Sequence, residues 1–270
     1  MKLYTYTGGK AFNPNQPTVL MIHGVLNDHS VWILQSRYLA HHGWNVLAID
    51  LPGHAKSEGT APVSVEAAAD AVIAYLQTLG IQKIALIGHS FGSLIALEAT
   101  SRLASSTIEV THLCMVGTAY PMKVSQGLLD SSRDEPHKAI EMVNTFSHST
   151  MSPPPSSLGP GTWLYGSSAA LMRRVLTTST KIEGSNVFHT GFAACNDYAN
   201  GEIAMAKVAT GNTNIQFILG KQDQMTQVKS TQSLIQLAPK AKVTVVNTGH
   251  QMMSEAPDDV LDALKDFLKI

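Results

Sequence analysis

The stretch Ile84-Ala85-Leu86-Ile87-Gly88-His89-Ser90-Phe91-Gly92 decides the fold of this 270-residue chain. An apolar run typical of a buried strand passes into Gly-x-Ser-x-Gly, and an apolar helical segment follows it. Strand, tight turn and helix in this order form a nucleophile elbow, whose strained backbone holds a serine hydroxyl exposed. Glycine is expected at positions 88 and 92 because such a turn leaves no room for side chains. The pattern predicts Ser90 as a nucleophile and places the Phe91 N–H where an oxyanion would form.

Two further residues complete a candidate triad with Ser90. A serine hydroxyl needs a histidine to take its proton and an acid to orient that histidine. Asp223 follows the apolar run 215–220, and His250 follows the run 243–249. Both runs predict strands, and the carboxyl ends of parallel strands share one edge of a sheet. We therefore expect Asp223 to act as the acid and His250 as the base.

Composition limits the classes of partner. Charged residues make up 14% of the chain, hydrophobic residues 44%, and the net charge is −1, with no block of like charge. Nucleic acid and anionic membrane surfaces are therefore not expected partners. No apolar run is long enough to span a membrane, and the first residues lack a signal-like apolar core, so the expected location is the cytoplasm.

Neither a metal nor a cofactor is predicted. The two cysteines, Cys114 and Cys195, stand far apart, and Cys114 lies inside an apolar run typical of a buried free thiol. His-Glu-x-x-His and Cys-x-x-Cys patterns are absent, as are the glycine patterns of nucleotide-binding loops.

Short apolar runs alternate with helical patterns along most of the chain. Ser64 is placed to cap a helix from Val65 to Leu79, and Gly80 is placed to end it. This alternation predicts an α/β fold with a doubly wound, mostly parallel sheet. It breaks between 119 and 208, where helical patterns occur near 135–146, 167–176 and 186–198. We expect a core domain of residues 1–118 and 209–270, with residues 119–208 inserted as a helical cap.

With these motifs the chain resembles the α/β-hydrolase fold family over essentially its whole length. Four motifs match in order: His23-Gly24, Asp50-Leu51-Pro52-Gly53-His54, the elbow, and the pair Gly220-Lys221-Gln222-Asp223 and Thr248-Gly249-His250. The chain order Ser, Asp, His is the one that this family uses. The resemblance implies that His23-Gly24-Val25 forms an oxyanion loop, in which the Val25 N–H joins the Phe91 N–H.

Two positions depart from the family pattern. Ala55 stands where the second glycine of Pro-Gly-His-Gly is usual. Met225-Thr226-Gln227 stands where the acid motif often continues to a proline. Neither departure replaces a catalytic group, but both lie in loops that shape the site.

Candidate substrate contacts lie beside the oxyanion loop and in the cap: His23, Gly24, Leu26, His29, Trp163 and Phe188. His29 has a second interpretation, because Asp28 or Ser30 could cap a helix that begins there. Trp163 and Phe188 could equally form the cap's own core. Asp50 is expected to hold its turn.

The expected function is hydrolysis of an ester-like bond of a small organic substrate through an acyl-enzyme, without a cofactor. The same triad also serves carboxylesterases, lactonases, thioesterases, C–C bond hydrolases and cofactor-free haloperoxidases, which differ mainly in the cap and pocket. A different class, a ligand-binding member of the fold without turnover, is the other alternative. The sequence leaves the oligomeric state open.

Overall fold

The computed structural model describes residues 2–149 and 163–270. Within them, seven strands form one sheet in the order β1-β3-β2-β4-β5-β6-β7. Neighbouring strands pair in parallel, except that β1 runs antiparallel to β3. The strands are β1 Thr5–Tyr6, β2 Thr18–Ile22, β3 Asn45–Ile49, β4 Lys83–His89, β5 Glu109–Val116, β6 Asn214–Gly220 and β7 Lys242–Val246. The predicted α/β class with a mostly parallel sheet is confirmed.

Helices connect the strands and also fill the segment between β5 and β6. Short 3-10 turns at His29–Trp32 and Val228–Thr231 precede α1 and α9. The helices are α1 Ile33–His41, α2 Val65–Thr78, α3 Phe91–Leu103, α4 Gln126–Asp134, α5 Pro136–Ser147, α6 Leu164–Thr178, α7 Val187–Asp197, α8 Gly201–Ala209, α9 Gln232–Leu237, α10 Met252–Glu255 and α11 Pro257–Leu268.

Helix α2 has the boundaries that its sequence signals predict. The Ser64 hydroxyl oxygen accepts a hydrogen bond from the Ala67 N–H at 3.1 Å, which satisfies one of the free donors of the first turn. At the other end, Gly80 adopts φ +63°, the left-handed conformation in which glycine ends a helix without steric cost. Local capping chemistry therefore sets both ends of this helix.

Both faces of the sheet are covered at its centre, which explains why β2 and β3 are mostly apolar. Alternate residues of β2 enter opposite cores: Leu20 packs with α2 and α3, and Met21 packs with α1 and α11. Every residue of β2 and β3 is buried. This arrangement brings the carboxyl ends of β4, β6 and β7 to one edge, where three loops leave the sheet.

A third apolar cluster joins α4, α5, α6 and α7 over that edge. Its members include Ile140, Met172 and Phe188, and Leu26 from the loop after β2 packs into it. Helix α8 behaves differently, because its residues Met205 and Val208 pack in the core with α3. The division into core and cap stays a prediction, and this packing favours a second boundary near residue 200 rather than at 208.

Helix α4 did not emerge from the sequence patterns, and neither did β1. Helix α4 follows Ser125, whose hydroxyl oxygen accepts a hydrogen bond from the Leu128 N–H at 3.4 Å. Only Leu128, Leu129 and Ser132 of this helix are buried. The segment is polar on average, and its few apolar residues lie on one face of the helix.

Candidate active site

The turn at Ser90 has the strained geometry of a nucleophile elbow. Ser90 joins β4 to α3 with φ +53° and ψ −119°, a conformation that costs energy for any residue with a side chain. A Cβ on Gly88 would lie 2.0 Å from the Gly92 carbonyl oxygen, and a Cβ on Gly92 would lie 2.4 Å from that of Ile22. Glycine at both positions is therefore a steric requirement of the turn.

The loop after β2 lies directly against this elbow. A Cβ on Gly24 would lie 3.0 Å from His89 Nδ1 and 3.2 Å from Ser90 Cβ. Over the described parts of the chain, the N–H groups of Val25 and Phe91 have no hydrogen-bond acceptor. Both donors are thus free to bind a ligand oxygen near Ser90.

His23 supports that loop from the core side. Its Nε2 accepts a hydrogen bond from the Leu51 N–H at 3.0 Å, so Nδ1 carries the proton and donates to the Gly24 carbonyl oxygen at 2.8 Å. Burial lowers the pKa of His23 below its ordinary value and keeps the ring neutral. The structure therefore places His23 as a support of the Gly24 backbone, behind the loop that faces Ser90.

Asp223 and His250 form a buried pair on the loops that follow β6 and β7. The Nδ1 atom of His250 lies 2.8 Å from Asp223 Oδ2, and both side chains are almost fully buried. The other oxygen, Oδ1, accepts the N–H groups of Met225 at 2.8 Å and Thr226 at 2.7 Å. Burial acts to raise the pKa of Asp223, but the His250 imidazole and the Thr226 donors outweigh it and hold that pKa below its ordinary value.

Thr226 is a site residue that the sequence interpretation noted only as a departure from a pattern. Its hydroxyl donates to Asp223 Oδ2 at 2.7 Å and lies 3.1 Å from His250 Nδ1. The Asp223 carboxylate therefore accepts hydrogen bonds from the Met225 and Thr226 N–H groups and from the Thr226 hydroxyl, and it also lies beside the His250 imidazole. A hydroxyl residue three positions after a candidate acid is the signal that could have indicated this contact.

His89, the residue before Ser90, forms a hydrogen bond with the backbone of His250. Its Nε2–H donates to the His250 carbonyl oxygen at 3.0 Å, and the two ring centroids are 4.7 Å apart. Burial and the neighbouring His250 lower the pKa of His89 to about 3. The His89 ring is therefore a neutral donor that orients the backbone of His250.

Ser90 and His250 line the same cavity, which has a volume of about 260 Å³. In the described segments, the Ser90 hydroxyl has no hydrogen-bond partner, so its bond to His250 is not formed in this state. Catalytic hydrogen bonds often tighten only when substrate is bound. The apolar part of the lining comes largely from residues after β5 and from α5 and α7: Met122, Val124, Leu128, Met142, Phe146 and Phe192.

The residues predicted to contact substrate are not among those that line the Ser90 cavity in the described parts of the chain. As far as the described residues show, none of His23, Gly24, Leu26, His29, Trp163 and Phe188 lines the cavity at Ser90. Leu26 and Phe188 are buried in the α4–α7 cluster, and Trp163 is 56% exposed and stacks on Tyr165 at 5.8 Å. The packing of helices α4–α7 turns other side chains, such as Phe192, towards the cavity at Ser90.

His29 has a structural contact instead. Its Nδ1 lies 2.7 Å from Asp50 Oδ1, which also accepts the His29 backbone N–H at 2.8 Å. The His29 ring packs against Tyr4 at 4.8 Å, and the second Asp50 oxygen accepts the Lys56 N–H at 3.2 Å. Asp50 thus holds its turn, and Asp28 caps the 3-10 turn through the Ser30 N–H.

The ligand atoms of Asp28, His29 and Asp50 lie within 4.8 Å of one another, the spacing of a metal site. Asp28 Oδ2, however, accepts a hydrogen bond from Arg174 Nη2 at 2.6 Å. Since the Asp50 oxygens also accept N–H groups, protein donors already satisfy both carboxylates. The cluster therefore joins the loop after β2 to α6.

Ala55, the other departure from the family pattern, has φ +44°. This left-handed conformation suits glycine better than alanine. The Ala55 N–H donates to the Ser179 hydroxyl oxygen at 3.1 Å, beyond the end of α6. The strained turn thus contacts the segment that the sequence assigns to the cap.

Comparison with known proteins places this arrangement in a family. A model of the α/β hydrolase fold matches residues 17–257. The chain is 25% identical over 266 residues to the (E)-2-((N-methylformamido)methylene)succinate hydrolase of Acinetobacter baylyi, covering 94% of this chain and 90% of that protein. The chain belongs to the α/β hydrolase fold family, and it is a hydrolase.

Solved structures agree with this fold. The enol-lactonase from Burkholderia xenovorans LB400 matches with a TM-score of 0.80 at 18% identity, covering 99% of this chain and 96% of that chain. The esterase EaEST from Exiguobacterium antarcticum matches with a TM-score of 0.77 at 16% identity, covering 99% and 95%. Within the described residues, no helix is both long and apolar enough to cross a membrane.

Proposed function

We propose that this hydrolase cleaves an ester bond of a small organic substrate through an acyl-enzyme on Ser90. The observation that carries the proposal is the buried Asp223–His250 pair, 2.8 Å apart, whose imidazole shares one cavity with the strained Ser90. A neutral histidine held by a carboxylate is the base that a serine hydroxyl needs.

The proposed reaction has two halves. His250 Nε2 takes the proton of Ser90 as Oγ attacks the ester carbonyl carbon, and the Val25 and Phe91 N–H groups bind the resulting oxyanion. The carbon–oxygen bond to the alcohol then breaks, and His250 returns the proton to the leaving oxygen. In the second half, His250 takes a proton from water as the water oxygen attacks the acyl carbon. The bond between that carbon and Ser90 Oγ then breaks, His250 returns the proton to Oγ, and the acid leaves. Asp223 remains a carboxylate throughout and stabilises the imidazolium.

The cavity supports a small, largely apolar acyl group. The cavity has a volume of about 260 Å³, and most of the residues that line it are apolar. The relatives named as an esterase and an enol-lactonase act on ester-type bonds, which agrees with this choice. The polar residues Lys123, Ser125 and Gln224 stand among the lining and offer contacts to the alcohol part.

The helices α4–α7 are proposed to act as the cap of this site. Met142 and Phe192 reach the Ser90 cavity from α5 and α7. Substrate selection would thus depend on the packing of these helices more than on the sheet. The expected cytoplasmic location stays a prediction.

The test is intact mass after treatment with a fluorophosphonate probe. The wild-type protein is expected to gain one adduct and Ser90→Ala none, whereas Ser105→Ala, which changes an exposed serine, should label like wild type. Hydrolysis of short-chain esters should fall at least about a thousandfold in Ser90→Ala. A folded wild-type protein without an adduct and without turnover would contradict the proposal and favour a ligand-binding role.

A further inference from the structure

A second cavity lies between α6 and two segments of the core, and the proposed reaction does not use it. Its volume is about 230 Å³. It borders the residues that follow the oxyanion loop and those that follow His250, but Ser90 and His250 do not line it. The apolar lining consists of Val31, Ile33, Leu34, Leu164, Leu171 and Met253.

Two buried amides face this cavity. The Asn27 side chain lies two residues after Val25, and the Gln251 side chain directly follows His250; the two residues are only 3% and 7% exposed. Across residues 2–149 and 163–270, neither side-chain amide has a hydrogen-bond partner. Each amide therefore offers a carbonyl oxygen and an NH2 group to a ligand in this cavity.

The lining also defines the charge of that ligand. Among the described residues that line the cavity, none carries a formal charge. An ionised ligand would therefore lose its hydration without gaining a counter-charge. A hydroxyl suits the two amides, because it both donates and accepts a hydrogen bond, as an amide does.

We propose that this cavity binds a short-chain aliphatic alcohol, which suits its volume of about 230 Å³ and its apolar lining. The hydroxyl lies between Asn27 and Gln251, and the chain lies along Val31, Leu34 and Leu171. An alcohol is also what the proposed ester hydrolysis releases. Retention of product at this site rests on the proposed function, whereas the binding itself does not.

The test uses the full chain carrying Ser90→Ala, so that turnover plays no part, and measures 1-heptanol binding by isothermal titration calorimetry. Ser168→Phe places a ring into the cavity from α6, whereas Ala170→Phe places the same ring on the exposed face of that helix. We expect saturable binding at one site, at least tenfold weaker with Ser168→Phe and unchanged with Ala170→Phe. Heptanoate, which is charged at pH 7, should bind at least tenfold more weakly than the alcohol.

Three results would overturn the assignment: no saturable binding of 1-heptanol, equal affinity in Ser168→Phe, or heptanoate binding as tightly as the alcohol. Equal affinity in Ser168→Phe would place the alcohol in another cavity, such as the one at Ser90. Should Ser168→Phe not fold by circular dichroism, Leu171→Trp fills the same space. Failure of the acyl-enzyme proposal appears separately, as absent probe labelling of the wild-type protein.

Discussion

The carbonyl oxygen of Ser147, the last residue of α5, accepts a hydrogen bond from the His250 N–H at 2.7 Å. The same oxygen accepts the Gln251 N–H at 3.1 Å. Close by, Glu255 Oε2 accepts the N–H groups of Ser149 at 2.9 Å and Gly249 at 3.3 Å. These hydrogen bonds join the loop that carries His250, the proposed base, to the end of α5. A shift of that helix would therefore move the imidazole.

Glu255→Gln should lower turnover more than substrate affinity. Glu255 is 3% exposed, and its carboxylate accepts one N–H group from Ser149, which follows α5, and one from Gly249, which precedes His250. We call this contact between α5 and the His250 loop the junction. The amide keeps the shape but loses the charge that strengthens these bonds. We expect the unfolding free energy to fall by about 1–3 kcal/mol and kcat to fall about tenfold, with KM nearly unchanged.

Urea unfolding and steady-state ester kinetics measure both effects of Glu255→Gln. Glu183→Gln, at an exposed position, is the matched control and should leave both quantities unchanged. A Glu255→Gln protein with wild-type kcat would show that the junction does not position His250.

Thr226→Val should weaken the Asp223–His250 pair while keeping the size of the side chain. The variant removes the hydroxyl that donates to Asp223 Oδ2 at 2.7 Å. Since that donor helps to lower the Asp223 pKa, its loss should raise this pKa. We expect kcat/KM to fall about tenfold, the equivalent of one hydrogen bond of ~1.4 kcal/mol.

Thr226→Ser is the rescue variant, because it restores the hydroxyl without the methyl group. It should recover most of the lost kcat/KM. If the serine and valine variants behave alike, packing of the methyl group and not the hydroxyl matters at this position.

Gly24→Ala should impair activity in a folded protein. The added Cβ would lie 3.0 Å from His89 Nδ1 and 3.2 Å from Ser90 Cβ, closer than side chains normally pack. The loop must shift by a few tenths of an ångström, which moves the Val25 N–H away from the oxyanion. Loss of one oxyanion donor costs ~10²–10³ in rate, so a partial displacement should cost at least about tenfold in kcat.

Gly127→Ala provides the comparison for Gly24→Ala, since a Cβ at Gly127 meets open space on α4. Circular dichroism should show both variants folded, with kcat lowered only in Gly24→Ala. Unchanged kcat in Gly24→Ala would mean that this loop does not supply an oxyanion donor.

Stability should fall as the pH drops below about 6.5, because several histidines, among them His89 and His54, are buried in the neutral form. Burial lowers the pKa of His89 to about 3 and that of His54 to about 4, from an ordinary value of 6.5. Between pH 6.5 and the pKa of the folded state, these histidines bind a proton in the unfolded chain but not in the folded protein. The unfolding free energy therefore falls as the pH drops through this range. Each histidine should cost about 2 kcal/mol of unfolding free energy between pH 7 and pH 5.

Urea unfolding at the two pH values measures this slope. His54→Gln should reduce the loss between pH 7 and pH 5 by about 2 kcal/mol, whatever it does to stability at pH 7. His41→Gln, at an exposed position, should leave the slope unchanged. A slope that His54→Gln does not alter would contradict burial of a neutral His54.

Local sequence was sufficient to predict the elbow and the parallel sheet, whereas the roles of Asp223 and His250 stay predictions. Glycine at 88 reflects the close approach of Gly92 within the turn, whereas glycine at 92 also reflects the close approach of Ile22 at the end of β2. Strand ends are visible as apolar runs. The structure then puts Asp223 and His250 side chains 2.8 Å apart, since both loops leave the same edge of the sheet.

Tertiary packing alone decided which side chains face Ser90. Phe188 and Phe192 are one helical turn apart on α7 and both belong to the α4–α7 cluster, yet of the two only Phe192 also lines the cavity. Apolar periodicity cannot distinguish these two outcomes, because both residues lie on the buried side of the helix. The contact of the Thr226 hydroxyl with Asp223 and the position of the Asn27 and Gln251 side chains at one cavity also depend on which loops meet after folding.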